Sequence, residues 1–246
     1  MKKSVIPREG ESLMDLGKRC NAVYICRKVD SVRKGKLVVY AGKDAKGRNL
    51  VGDIYFNFRR IEEHPHVVEA FAETACRRLE TRGLLDTFDT VIGIPEGGRT
   101  FGQMVALVGG KRFTYATKKP KPTEAGRKQE YEWDLSQFEF EPGERVAIAE
   151  DVFNNLQNTD TNLVELAATG VEVVLLVGAL NRSPVYDSYY TPRIGAYAGK
   201  ELPIVAAIRQ AYPEYEQGDP EVAADIAAGR LELEVKRHWG QLCASM

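Results

Sequence analysis

The sequence predicts an α/β fold: a central parallel sheet of about five strands flanked by helices, with a small β-rich hood at the N-terminus. Three observations carry this. Strand-like and helix-like segments alternate from about residue 61 onward. The strand-like segments are nearly all apolar, as in Val146-Ala-Ile-Ala149, which fits strands covered on both faces. Before residue 60 the pattern is different, with short β-like runs broken by glycines.

In the hood, residues 21–27, 36–40 and 50–56 read as strands. Gly35, Gly42 and Gly47, with Asp44 and Lys46, supply the turns. Over 62–82 the period becomes helical: Val67, Val68, Phe71, Ala75 and Leu79 share a face, and Gly83 ends the helix. Residues 88–94 read as a strand, 99–108 as a helix and 112–117 as a strand. The polar stretch 118–137 shows no period. Residues 145–149 are a strand, 160–168 a helix, 171–180 a strand and 202–208 a last buried run. In the tail, Asp219 is a good N-cap with Pro220 at the first helical position, and Gly229 stops that helix. The expected division is a hood over 1–60, an α/β core over 61–210 and a C-terminal helical extension over 211–246.

Composition bounds the function classes. Of 246 residues 43% are hydrophobic and 28% charged, and the net charge is −1. Acids and bases are mixed along the chain, which argues against nucleic acid or membrane as a partner. Met1-Lys2-Lys3 leads into polar sequence, so no signal peptide is expected, and a cytoplasmic location is. Cys20, Cys26, Cys76 and Cys243 match no zinc spacing and read as reduced thiols. His64 and His66 lack a third ligand nearby and read as surface or cap residues.

Three stretches carry chemistry. The loop from Gly93 to Gly98 follows a strand. Its paired glycines let backbone N–H groups turn toward an anion at a helix start. The stretch 118–126 holds Lys118, Lys119 and Lys121 between prolines, and reads as an exposed loop able to close over a phosphorylated substrate. Glu150-Asp151 directly follow an apolar strand. Parallel sheets bind ligands beyond the carboxyl ends of their strands, so these acids are placed to meet a sugar or a metal.

An apolar strand, two acids, a polar loop and a helix, in this order, resemble the type I phosphoribosyltransferases, and within them orotate phosphoribosyltransferase. The resemblance spans roughly residues 46–210. It implies that Glu96, Gly97, Gly98 and Arg99 meet the pyrophosphate of phosphoribosyl pyrophosphate (PRPP). It implies Lys118 and Lys121 as catalytic lysines of a mobile loop, and Glu150 and Asp151 as the acids that hold the ribose and Mg2+. Asn154, Asn155, Gln157, Asn158 and Thr159 fall where the family cradles the 5-phosphate. Leu180-Asn181-Arg182 is similar to the family's Leu-Asp-Arg, so Arg182 is implied in base binding, with Tyr55 and Phe56 as weaker aromatic candidates. The implied activity is transfer of the phosphoribosyl group to a nucleobase such as orotate, in pyrimidine biosynthesis, by a homodimer.

The departures are local. The family's Thr/Gly-rich phosphate loop is replaced by Asn154-Asn-Leu-Gln-Asn158. Leu156 there carries a Cβ that disfavours positive φ, and a side chain expected to crowd a phosphate. Thr117 stands where an arginine is usual, the loop histidine is missing, and Asn181 replaces an aspartate. A non-catalytic protein that binds a nucleotide or phosphorylated metabolite on the same fold is the alternative.

Overall fold

The computed structural model describes residues 4–120 and 131–246. They form two compact units: residues 1–67, 182–185 and 210–246 make the first, and 68–181 with 186–209 the second. The C-terminal stretch, expected as a helical extension, groups with the N-terminal residues.

The first unit opens on a helix absent from the sequence expectation, α1 (Leu13–Arg19). Ser12 caps it by accepting from Asp15 N. Short strands follow: β1 (Val23–Ile25), β2 (Lys28–Val29), β3 (Val32–Arg33), β4 (Leu37–Lys43), β5 (Asn49–Gly52) and β6 (Ile54–Phe56). A short helix α2 (Phe58–Glu62) ends the run. β4 is antiparallel to β5, and β1 to β6.

The second unit begins with α3 (Pro65–Thr81), whose Val68, Phe71, Ala75 and Leu79 are fully buried. Then come β7 (Thr90–Gly93), α4 (Gly97–Gly109), β8 (Arg112–Tyr115), β9 (Thr117–Pro120) and β10 (Tyr131–Asp134). The stretch 118–137 is therefore not without structure: β9 and β10 pair antiparallel at its two ends. The lysines and Pro120 of β9 hid this pairing, while the alternation of Tyr131 and Trp133 with Glu132 and Asp134 was its available signal. β11 (Arg145–Phe153), α5 (Gln157–Ala167), β12 (Glu172–Asn181), β13 (Tyr189–Tyr190) and β14 (Leu202–Arg209) complete the unit.

The main sheet runs β13-β14-β12-β11-β7-β8. All its pairings are parallel except that of the two-residue edge strand β13. Val91, Ile92, Val146 to Ala149, Leu175 to Val177, Ile204 and Val205 are all buried, so both faces are covered, as their unbroken apolar runs predict. In order of appearance the parallel strands lie 2-1-3-4-5. The direction of travel therefore reverses between β7 and β11, where open α/β sheets part their loops to form a ligand crevice.

The tail supplies α6 (Pro220–Ala227), β15 (Leu231–Glu232) and α7 (Trp239–Ala244) to the first unit. Asp219 caps α6 through Glu221 N, as expected. β15 adds to β4 in parallel, and Trp239 lies buried in one cluster with Tyr24, Val38 and Tyr40, donating its indole N–H to Asn21 O. Glu232 on β15 is buried and accepts from Lys36 Nζ (3.0 Å), His238 Nδ1 (2.8 Å) and Glu234 N (3.0 Å). Burial alone would raise its pKa; the His238, Lys36 and Glu234 contacts outweigh this and hold it down at about 2. A carboxyl with a depressed folded pKa stabilises the fold above its unfolded pKa, near 4.5, and loses that contribution as pH falls toward 2. On the order of 3 kcal/mol is at stake. Thermal melts at pH 6 and pH 3 should show the wild-type protein losing more stability than Glu232→Gln. Equal losses would remove Glu232 as the titrating group.

Candidate active site

Two helix starts and two acids meet at the crevice of the second unit. After β7 the chain turns through Ile94, Pro95 and Glu96, with a cis Pro95–Glu96 peptide, into α4. After β11 it turns through Asn154, Asn155 and Leu156 into α5. Neither N-cap residue, Glu96 nor Leu156, closes its helix with a side-chain hydrogen bond, and a helix start of this kind favours an anion.

The glycines of α4 are required by contact. A Cβ on Gly98 would strike Ala149 O and come within 2.9 Å of Glu150 Cα. One on Gly102 would lie 2.8 Å from Ala149 Cβ, and one on Gly97 would overlap the Asp151 carboxylate. α4 therefore beds directly on the end of β11, and Asp151 lies against the helix start, where the dipole favours an acid. Asp151 Oδ1 also accepts from Val152 N at 3.0 Å.

β11 continues past the expected end at Ala149 as far as Phe153. Its pairing with β7 stops at Ala149, while pairing with β12 continues to Phe153. The acids thus project beyond the neighbouring strand. Ala149 and Asp151 share the α4 face, and strand alternation turns Glu150 to the other. Both are half-buried, and Oε2 of Glu150 is fully enclosed. The two carboxylates straddle the strand end rather than lining one wall.

The phosphate loop is shorter than expected. Gln157, Asn158 and Thr159 form the first turn of α5, and Thr159 is buried. Leu156 does adopt positive φ, 57°, but its side chain turns into the core with Ile148, Phe153, Leu163 and Tyr190 and is only 5% exposed. The backbone cost expected there is present and the crowding is not. Asn154 and Asn155 remain half-buried at the turn. Beneath it, buried Asp160 accepts from Tyr190 OH (2.5 Å) and Arg193 Nε (3.2 Å), fixing the start of α5.

Arg99, in the first turn of α4, holds its guanidinium 3.8 Å over the Tyr115 ring. Lys121 lies outside the described residues, as do the side chains of Lys118, Gln157 and Asn158; the backbone of Lys118 pairs with Trp133 in the β9–β10 hairpin.

The base-binding candidates lie in the first unit. Arg182 is 7% exposed, its guanidinium lies 3.6 Å over the Tyr40 ring, and its buried Nη1 has no hydrogen-bond partner among the described residues. Tyr55 is half-buried, its ring 5.7 Å from Trp239, against the same cluster that holds Tyr40. Phe56 is almost wholly buried beside Phe58. In the second unit Asn181 explains its own departure from aspartate. Its Nδ2 donates to Tyr186 O (2.9 Å) and Asp187 O (3.0 Å), which a carboxylate cannot do.

No family model matches the chain. The orotate phosphoribosyltransferase of a Nitratiruptor species is 25% identical over 158 residues, covering 64% of this chain and 69% of that protein. Among solved structures, orotate phosphoribosyltransferase from Aeropyrum pernix matches with a TM-score of 0.50 at 17% identity, over 80% of this chain and 93% of that one. The chain is similar in sequence to an orotate phosphoribosyltransferase and has the fold of one. UMP synthase of Leishmania donovani is also similar, at 19% identity and a TM-score of 0.45; the match covers 70% of this chain and 32% of that one. The shared fold covers the parallel sheet and its flanking helices.

Glu150 and Asp151 offer oxygen ligands only, and among the described residues no group of three or more His, Cys, Asp or Glu side chains could hold a metal. That donor set fits Mg2+, which takes one or two protein carboxylates and completes its shell with water and substrate phosphate. No described helix is long and apolar enough to cross a membrane. The described cysteines are free, and burial raises the thiols of Cys20 and Cys76 to about 11, well away from reactive thiolates.

Proposed function

We propose that the protein transfers the phosphoribosyl group of PRPP to an anionic pyrimidine of the orotate kind. The base nitrogen forms a bond to C1 of the ribose as the C1–O bond to pyrophosphate breaks. Pyrophosphate departs with the electron pair. The observation that carries this reading is the crevice between β7 and β11, where two helix starts flank a pair of acids. Anion sites on either side of carboxylates suit a sugar with a phosphate at one end and pyrophosphate at the other.

In this reading the first-turn N–H groups of α4 and Arg99 take the pyrophosphate. The first turn of α5, with Asn154 and Asn155, takes the 5-phosphate. Glu150 and Asp151 accept from the ribose hydroxyls and offset positive charge developing at C1. Mg2+, held by these acids, would neutralise pyrophosphate charge. Lys118 and Lys121 would add cations to the departing group. Arg182 would grip the base carboxylate with its planar fork, and Tyr55 is the aromatic candidate for the base. The buried, unpartnered Nη1 of Arg182 supports an acidic base over a neutral one. A cytoplasmic homodimer completes the reading, and light scattering would give its mass.

The left-handed Leu156 favours a second reading, a binder of nucleotides without turnover, since no glycine nest surrounds the 5-phosphate there. Incubation with PRPP, Mg2+ and orotate, following orotate absorbance and pyrophosphate release, separates the two. Stoichiometric loss of orotate with pyrophosphate is expected. Saturable binding of a nucleoside monophosphate by calorimetry, without pyrophosphate release, would replace the transferase with the binder.

A further inference from the structure

We propose that Tyr40 is the positioning residue of the base site: its ring is a fixed platform that holds the Arg182 guanidinium flat, so that the fork meets a carboxylate-bearing pyrimidine edge-on. The inference rests on the reading of Arg182 as a base-binding residue.

The platform is built from several directions. Tyr40 lies on β4 and is almost wholly buried, and its hydroxyl donates to Ile54 O at 2.8 Å. The ring occupies the space a side chain at residue 52 would need: a Cβ on Gly52 would overlap the Tyr40 phenol. Burial pushes the phenol up to about 12, so the ring stays neutral beside the cation. From the other side, Arg182 O accepts from Tyr212 N at 3.1 Å, which ties its backbone to the same unit.

A guanidinium in this setting is costly unless something answers it. Burying a charge requires pairing or hydrogen bonding. The ring face supplies attraction perpendicular to the guanidinium plane. It leaves Nη1 buried with no hydrogen-bond partner among the described residues. An in-plane ligand with two acceptor oxygens matches this geometry, and a planar pyrimidine carboxylate is such a ligand. Without the ring, the long Arg182 side chain would regain its rotamers and the fork would need ordering on each binding event.

The test uses the full chain with PRPP, Mg2+, and orotate or uracil as probes. Tyr40→Leu should raise the orotate KM about tenfold, the scale of a desolvated cation–π contact, with kcat and the PRPP KM within about twofold. The preference for orotate over uracil should fall by about the same factor, a change that general loosening does not produce. Tyr40→Phe, which keeps the ring and loses the Ile54 bond, should lower the melting temperature but leave the orotate KM within about twofold. If Tyr40→Leu does not fold, Tyr40→Met provides a ringless side chain for the same comparison. Phe behaving like Leu, or ringless variants leaving the orotate KM unchanged, would overturn the inference. Arg182→Lys separates the two levels. If it leaves orotate KM unchanged, the base-site reading fails; if it raises KM while ringless Tyr40 variants do not, only the platform fails.

Discussion

Asp151→Asn is expected to lower kcat/KM for PRPP by about 10²- to 10³-fold, the usual effect of losing one preorganised charge at a developing transition-state charge. The amide keeps the shape of the side chain, and its oxygen can still accept from Val152 N, the bond now made by Oδ1 at 3.0 Å. It also still fits against Gly97, where even a methyl group would overlap. What disappears is the negative charge at the start of α4. Because helix dipole and acid attract, a small stability loss, of roughly 0.3–1 kcal/mol, should accompany the change. Glu150→Gln should cost similar activity from the opposite face of β11. Steady-state rates with a melting curve for each variant make the check. Activity within about threefold of wild type in both variants would remove the acids from the chemistry and leave the crevice without its proposed purpose.

Leu156 should show an inverted ranking of substitutions. Its side chain is core and its backbone is left-handed, at φ 57°. Leu156→Ala loses the buried side chain and keeps the disfavoured conformation, so a loss of about 2–5 kcal/mol is expected. Leu156→Gly loses the same atoms but relieves roughly 1–2 kcal/mol of backbone cost. Glycine should therefore be the more stable of the two, although at ordinary positions it is the worse by roughly 0.5–1 kcal/mol. Urea unfolding of the three proteins decides it. Alanine matching or exceeding glycine would mean that the turn is not left-handed in solution. Since the side chain points away from the crevice, glycine here should change PRPP affinity far less than it changes stability.

The fold was legible because its signals are local and redundant. Runs such as Val146 to Ala149 are too apolar for anything but a strand covered on both faces, and β7, β12 and β14 carry the same mark. The position of the acids followed from that strand alone. α1 was missed because it is short and buries little; the Ser12–Asp15 cap was its available signal. The β9–β10 pair was missed because β9 holds two lysines and a proline; the alternation in Tyr131-Glu-Trp-Asp134 was its signal. Gly98 and Gly102 were legible as a flexible turn and helix interior, but their need for bare backbone depends on β11 lying beneath them.

Local pattern was enough for the alternation of strands and helices, the acids at a strand end, the polar turn after them and the arginine after β12. These are properties of neighbours along the chain, set by hydrophobic period and backbone preference. Packing settled that the acids straddle β11, that Leu156 faces the core, that residues 210–246 group with the N-terminal ones, and that Tyr40 underlies Arg182. Each of those is a contact between residues distant in sequence or a choice of side-chain direction. Such choices are settled by which surfaces must leave water together, and no local pattern records them.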